Sequence, residues 1–445
     1  SPAPTTAGPT QFSAERAMAS INRLADEPHS VLNREAHDRA RDDVISMFAN
    51  LGYTANVHSD PLFDFSIPED KETFDMLSTE QQAAVKDATA DTIVVDVPGK
   101  SERTMALMAH YDSSTVEEDE DGVVRKVPGN SYGASDDGYG VAAIIETLRA
   151  IKAEGRQPEN SLKIVITDGE EIGLVGARNE MRHHRADYDN VDLFLNLEAR
   201  GMSGPAFMFE TSPNNSAVAG YFLSHVKQPV TGSLLPSLYA RMPNTTDMAK
   251  VIPEGFTVLN IAAIGEADHY HHATDAPRYV NHSTLQHYGD QVLDLTRAWA
   301  FDGQTPTLTA NGDLHFFQLW RGMTVSYPAT VGTGLGCLAI IAALGVVVVR
   351  ARSLRWKRVL GTVWGLTWRA ASVSAAAGLV QLGAMAMKWA PETGIGPNPL
   401  LPWMFAGGAL IGAGLTAHFV VRRWKEGLGQ ETLAAVLLLL AAACV

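Results

Sequence analysis

The sequence predicts an α/β domain, with a mixed, mainly parallel sheet sandwiched by helices, followed by an α-helical transmembrane region. Three observations predict it. Short apolar runs at 162–167 and 191–197 show no polar alternation, as expected of strands buried on both faces. Helical patterns separate them, as at 138–153, where Val141, Ile144, Ile145, Leu148 and Ile151 share one face. Beyond residue 305 acids become scarce and long apolar stretches begin.

In chain order, residues 1–11 begin Ser1-Pro2-Ala3-Pro4 and read as a disordered lead-in. Helices are expected at 14–21 and 34–51, an edge strand at 53–57, and a polar, Pro-interrupted excursion at 60–90. Strands are expected at 92–97, 104–109, 162–167, 191–197, 206–209 and 256–264. Helices at 138–153, 174–184, 216–226 and 285–299 complete a domain over 12–305. The acidic run Glu117-Glu118-Asp119-Glu120-Asp121 reads as a solvated loop tip, and His183 and His184 as solvated helix residues.

A linker is expected at 306–326 and a transmembrane region at 327–445, with about four spans. Residues 327–349 hold no charge and are long enough to cross a bilayer; 370–387, 401–421 and 432–445 follow, the last cut short. Arg350, Arg352, Arg355, Lys357 and Arg358 follow the first span, and Arg422, Arg423 and Lys425 the third. Positive loops stay in the cytoplasm, which places the α/β domain outside, anchored to the lipid bilayer. The absent initiator Met and the end within an apolar run suggest a fragment of a longer protein. The net charge of -15 argues against a nucleic-acid partner. The only cysteines, Cys337 and Cys444, lie in apolar runs, so any metal in the α/β domain must be held by His, Asp and Glu. Scarce cysteine in an exported domain leans towards a bacterial cell membrane.

Several segments carry chemistry. His110 and Asp112 close a strand, where ligands of α/β sheets gather; Asp112 can orient the His110 ring from behind. Asp136 enters a helix, suited either to bridge two metals or to cap that helix. Glu170 and Glu171 are adjacent carboxylates after a buried strand, which would repel each other unless cations were present. One suits a metal ligand and the other a general base. Glu198 ends an apolar strand where an unpaired carboxylate would be costly to bury. His269, His271 and His272 lie close together before Asp275, and at most one or two would bind metal.

In this order the segments resemble metallopeptidase family twenty-eight, the two-zinc aminopeptidases and carboxypeptidases, over about 12–299. The resemblance implies a zinc-exopeptidase fold and two Zn2+ per chain. His110 and Glu198 would hold one zinc, Glu171 and His272 the other, and Asp136 would bridge them. Glu170 would be the general base, supporting attack by a metal-held hydroxide, with Asp112 behind the first histidine. His272 is preferred to His271 because Ala273-Thr274-Asp275 follows it, and Asp247 is a further candidate near the substrate. The stretch Asn196-Leu197-Glu198-Ala199, with Glu where many secreted members have Asp, is similar to the membrane-bound branch of endoplasmic-reticulum and vacuolar-membrane metallopeptidases. The expected function is a membrane-anchored extracytoplasmic aminopeptidase acting on peptides. A carboxypeptidase, a glutaminyl-cyclase-like enzyme and a non-catalytic receptor or assembly module are the alternatives.

Overall fold

The computed structural model describes residues 2–118, 124–233, 245–303, 307–320, 323–350, 354–369 and 418–443. Its contacts divide the chain into two units, the first reaching Ala329 and the second running from Thr330 onward.

The first unit is built on a seven-stranded sheet in the order β1-β2-β6-β3-β7-β9-β8. The strands are β1 (Asn56–Pro61), β2 (Thr89–Val97), β3 (Ser101–His110), β6 (Asn160–Thr167), β7 (Val191–Ala199), β8 (Ser203–Thr211) and β9 (Val258–Gly265). The central four, β6-β3-β7-β9, run parallel; β1, β2 and β8 are antiparallel additions at the edges. Alternate residues explain the unbroken apolar runs. In β3, Met105, Leu107 and Ala109 enter one core while Ala106 and Met108 enter the other. Leu195 and Phe194 of β7 divide in the same way. A strand covered on both faces has no solvent side on which to place polar residues.

One face is covered by α1 (Ala14–Leu24), α2 (Arg34–Asn50), α5 (Gly138–Ala153) and the twenty-residue α10 (His282–Phe301). All five residues expected on the apolar face of α5 are buried there. The rest of the unit holds α3 (Pro68–Asp75), α4 (Thr79–Val85), α6 (Glu170–Gly173), α7 (Val175–His183), α8 (Ser216–His225) and α9 (Met248–Val251). Met181 of α7 and Met248 and Val251 of α9 pack on the opposite face from α5.

Three expectations are corrected. The lead-in is docked rather than disordered: Arg16 donates to the carbonyls of Thr5, Ala7 and Gln11, Arg149 to those of Pro9 and Gln11, and Arg297 to that of Thr10. Arginines supplied by α1, α5 and α10 thus satisfy a backbone that has no secondary structure of its own. The linker at 306–326 contains most of a hairpin, β10 (Leu314–Trp320) with β11 (Met323–Pro328), whose Phe316 enters the main core. The acidic tip also sits on a hairpin, β4 (Val116–Glu118) with β5 (Val124–Lys126), its outermost residues lying outside the described set.

Among the described residues no helix is long and apolar enough to cross a membrane. The expected first span is nevertheless one 22-residue helix, α11 (Ala329–Arg350), with Val331, Leu335, Leu338, Ile341, Leu344 and Val348 exposed. The expected second span and nearly all of the third lie outside the described residues, and the fourth falls in α12 (Gly429–Ala443).

Candidate metal centre

The site forms where the four parallel strands end, on one rim of the sheet. His110 is the last residue of β3, Glu170 and Glu171 follow β6, Glu198 is the penultimate residue of β7, and His271 lies beyond β9. Because β3 lies between β6 and β7, residues far apart in sequence converge on the His110 ring.

His110 is buried, with Nε2 3.3 Å from Asp136 Oδ1 and 3.9 Å from Glu198 Oε2. The other oxygen of Asp136, Oδ2, is 3.3 Å from His271 Nε2, which is itself 3.0 Å from Glu171 Oε1. Two donor sets therefore share one carboxylate: His110, Asp136 and Glu198, and Asp136, Glu171 and His271. Glu171 Oε1 and His271 Nε2 are buried and make no well-formed hydrogen bond despite their 3.0 Å approach. Lone pairs aimed at a common point rather than at protons suit a cation, and N/O donors without sulfur suit zinc.

The expected second histidine is corrected. His271, not His272, meets Asp136 and Glu171. The backbone of His272 is occupied in the turn, donating to the carbonyl of His269 and accepting from the Asp275 amide. His271 has a left-handed backbone (φ 61°), and its ring stacks on Tyr270 at 3.6 Å between centroids.

Asp136 and Asp137 divide the two roles left open for an aspartate at this helix start. Asp137 caps α5 by accepting from the Gly140 amide, and Asp136 faces the histidines. The peptide between them is cis. Asp275 holds this turn from below: one oxygen accepts from the amide and hydroxyl of Ser135, the other from the Asp136 amide. Asp112 stands behind His110 and has a second task as well. Its two oxygens accept from the Glu170 and Glu171 amides at 3.1 and 3.2 Å, tying the end of β3 to the start of α6. The nearest partner of His110 Nδ1 is the Asp112 carbonyl at 3.0 Å; the carboxylate is 3.5 Å away. Asp247 accepts from Thr167 at 2.5 Å behind the site, while its neighbours Thr245 and Thr246 line the cavity.

The electrostatics match an arrangement that lacks positive charge. Burial pushes Glu170 and Glu198 well above the usual carboxyl range and Glu171 up to about 7. Burial acts against the protonated His271, but Glu171 and Asp136 outweigh it and raise the ring to about 10. Burial also opposes His110 protonation and is outweighed by the hydrogen bonds to Asp112 and Asp136. Burial alone would raise Asp136, yet the two histidines hold it below the carboxylate range. Protons are retained here where metal charge would replace them.

The site opens into a cavity of about 540 Å³. Asp136, Glu170, Glu171 and Glu198 border it on one side, and Ile172, Leu174, Phe209 and Ile264 supply apolar wall. Tyr270 and Arg200, neither singled out in the sequence, also line it, with the guanidinium 5.2 Å from the Tyr270 ring centroid. The adjacency of Tyr270 to the histidine cluster was the only sequence signal for either residue.

Residues 92–296 match the model of Peptidase family M28. The chain carries a peptidase family M28 domain. That domain is of zinc-metallopeptidase type, and the resemblance seen in the motifs holds at the level of the family. The vacuolar membrane protease of Lodderomyces elongisporus is 30% identical over 210 residues, 46% of this chain and 20% of that protein. Endoplasmic reticulum metallopeptidase 1 of Mus musculus is 24% identical over 220 residues, 48% of this chain and 24% of that protein. The chain thus spans about a quarter or less of the length of these relatives. Among solved structures, the M28 domain's fold resembles Tannerella forsythia glutaminyl cyclase (20% identity, TM-score 0.50, covering 64% of this chain and 98% of that one). It also resembles a zinc aminopeptidase from Bacillus subtilis (13% identity, TM-score 0.50, covering 68% and 98%). Both likenesses concern the fold.

Proposed function

We propose that the chain is a membrane-anchored dizinc exopeptidase that removes N-terminal residues from peptides. The observation that carries this reading is the position of Asp136, whose two oxygens each meet a different histidine, each with a carboxylate of its own. His110 and Glu198 would hold one zinc, Glu171 and His271 the other, with Asp136 between them. Zinc bound there would supply Lewis-acid activation of water and of the scissile carbonyl.

The remaining work falls to the chain's own residues. Glu170 borders the cavity beside the two metal sets, and burial raises its affinity for a proton. It would take the proton from the attacking water and pass it to the leaving amine. Asp112 holds Glu170 and Glu171 through their amides, so base and ligand are positioned together. Tyr270 stacks on one face of the His271 ring and holds its orientation. The cavity lining holds Lys126 and Arg200 beside the four carboxylates that the metals and the base would occupy, so the choice of a free N-terminus over a free C-terminus rests on the substrate panel.

Membrane attachment and an extracytoplasmic domain belong to the same proposal. The exposed apolar side chains of α11 support membrane attachment, as does the relative named a vacuolar membrane protease; another relative is named for the endoplasmic reticulum. The bacterial cell membrane expected from the cysteine content gains no support from these relatives.

The test is metal content and turnover on one panel: amino-acid anilides, N-blocked controls, C-terminal substrates and glutaminyl peptides. Near two zinc per chain with cleavage confined to free N-termini is the expected result. Turnover of C-terminal substrates alone would replace the substrate class, and cyclisation of glutaminyl peptides would replace the reaction. A chain that binds no zinc and turns over nothing would end the enzymatic reading.

A further inference from the structure

Two cations line the cavity of the metal centre, Arg200 and Lys126, and neither belongs to the two donor sets or to the base. Arg200 stands two residues beyond Glu198, just past the end of β7. Its amide donates to the Ala263 carbonyl of β9 at 2.7 Å, so it continues the ladder that carries Glu198. Residues two apart on a strand point to the same side, and both side chains reach the cavity. The Arg200 guanidinium lies 5.2 Å from the Tyr270 ring centroid, a contact through the ring face that leaves its N–H groups unused. Its Nη1 is buried and makes no hydrogen bond among the described residues. Nor does the guanidinium form an ion pair among them, although four carboxylates border the same space. Burial lowers the proton affinity of Lys126, with no carboxylate set against it. A buried donor without a partner is destabilising, and a group entering the cavity can relieve that.

We infer that Arg200 determines specificity by receiving a carboxylate of the peptide substrate, so that the site prefers peptides with a carboxylate close to the scissile bond. The inference rests on the exopeptidase reading of the same site. A guanidinium offers two parallel N–H groups that match a carboxylate, and the apolar wall of Ile172, Leu174, Phe209 and Ile264 limits the water that competes for them. On that reading Asp136, Glu171 and Glu198 serve the metals and Glu170 carries the proton, so none of the four is left to neutralise Arg200. Two residues of strand span roughly 7 Å, which sets the carboxylate within one or two residues of the scissile carbonyl. Two groups meet that requirement: the C-terminal carboxylate of a dipeptide, and an Asp or Glu side chain beside the scissile bond. Lys126 adds positive potential to the same cavity and favours the same charge.

The experiment gives the zinc-loaded full chain peptides in pairs that differ only in a carboxylate. Ala-Ala against Ala-Ala-amide reports a C-terminal carboxylate. Ala-Asp-amide against Ala-Asn-amide, and Asp-Ala-amide against Asn-Ala-amide, report a side chain on either side of the bond. In at least one pair kcat/KM should be about 10- to 100-fold higher for the member with the carboxylate, the size of a charge-assisted hydrogen bond. Arg200→Met should bring that ratio close to one, and Arg200→Lys should keep part of it, because a point charge remains without the fork. The same pairs titrated by calorimetry into Glu170→Gln give the ratio of Kd values without turnover. Cleavage with no preference in any pair overturns the role of Arg200 and leaves the exopeptidase standing. A preference undiminished in Arg200→Met overturns it as well. If no peptide is cleaved the exopeptidase reading fails, and the ratio of Kd values still decides for or against Arg200.

Discussion

Tyr270 lies flat against His271, with ring centroids 3.6 Å apart and planes at 22°, and so fixes which of two adjacent histidines faces Asp136. His271→Ala should therefore remove metal from the site and depress kcat/KM, whereas His272→Ala should leave the metal content as it was. Metal analysis of the two purified variants separates them. Loss in His272→Ala alone would restore the sequence-based choice, and equal losses in both would remove the distinction between the two histidines.

Glu170 stands apart from the two sets that share Asp136, although it comes close to His110 and Glu171. Glu170→Gln should keep the metal content of the wild type while kcat falls by about 10²- to 10⁴-fold, the range of general-base catalysis. Comparable turnover in the variant would remove Glu170 from the mechanism.

Asp112 accepts two amide hydrogen bonds, and asparagine can accept one while presenting an NH2 group to the other amide. Asp112→Asn should lower activity about 10- to 100-fold, as loss of a supporting contact does. The metal count should change less than in His271→Ala. Wild-type activity in Asp112→Asn would show that the clamp between β3 and α6 is dispensable.

Removing metal should make stability depend on pH. Glu171 titrates at about 7 in the fold against an ordinary 4.5, so between these values the folded chain holds a proton that the unfolded chain has lost. His271, at about 10 against 6.5, does the same over the higher window. Both therefore stabilise at low pH, and that stability is lost as pH rises towards 7 and then 10. Asp136, held below its ordinary value, acts in the opposite direction but only at more acidic pH. In the presence of a chelator, Tm should fall from pH 5 to pH 9, and zinc should flatten the slope. A chelated protein whose Tm rises over that interval would contradict the assigned environments.

Gly289 in α10 sits where the Phe12 ring docks, and a Cβ there would lie 2.0 Å from the tip of that ring. Gly289→Ala should cost about 1–3 kcal/mol, the usual penalty for overpacking a core. Phe12→Leu should relieve part of the cost in the double variant, because residues in contact are not additive. Strictly additive Tm losses would show that the chain around Phe12 does not dock as described.

The sequence by itself determined the central strands and most of the residues that gather at their ends. The short apolar runs at β6 and β7, interrupted only by Lys163, Asp192 and Asn196, read as strands buried on both faces, and the residues at their ends, Glu170, Glu171 and Glu198, could be named because charge after such a run needs a partner. The heptad-like spacing of Val141, Ile144, Leu148 and Ile151 marked α5 for the same reason. The hairpin of β10 and β11 was hidden because its register depends on pairing rather than on local pattern. The docked lead-in was hidden because its partners, Arg149 and Arg297, lie more than a hundred residues away. Only the tertiary structure decided between His271 and His272, showed that Asp137 caps α5 while Asp136 faces the histidines, and gave Asp112 its hold on the Glu170 and Glu171 amides. Neighbouring side chains leave the backbone in different directions, and a φ of 61° at one residue selects which of them enters the site. Composition is blind to that angle; the packing of Tyr270 and the hold of Asp275 on the opposite turn set it.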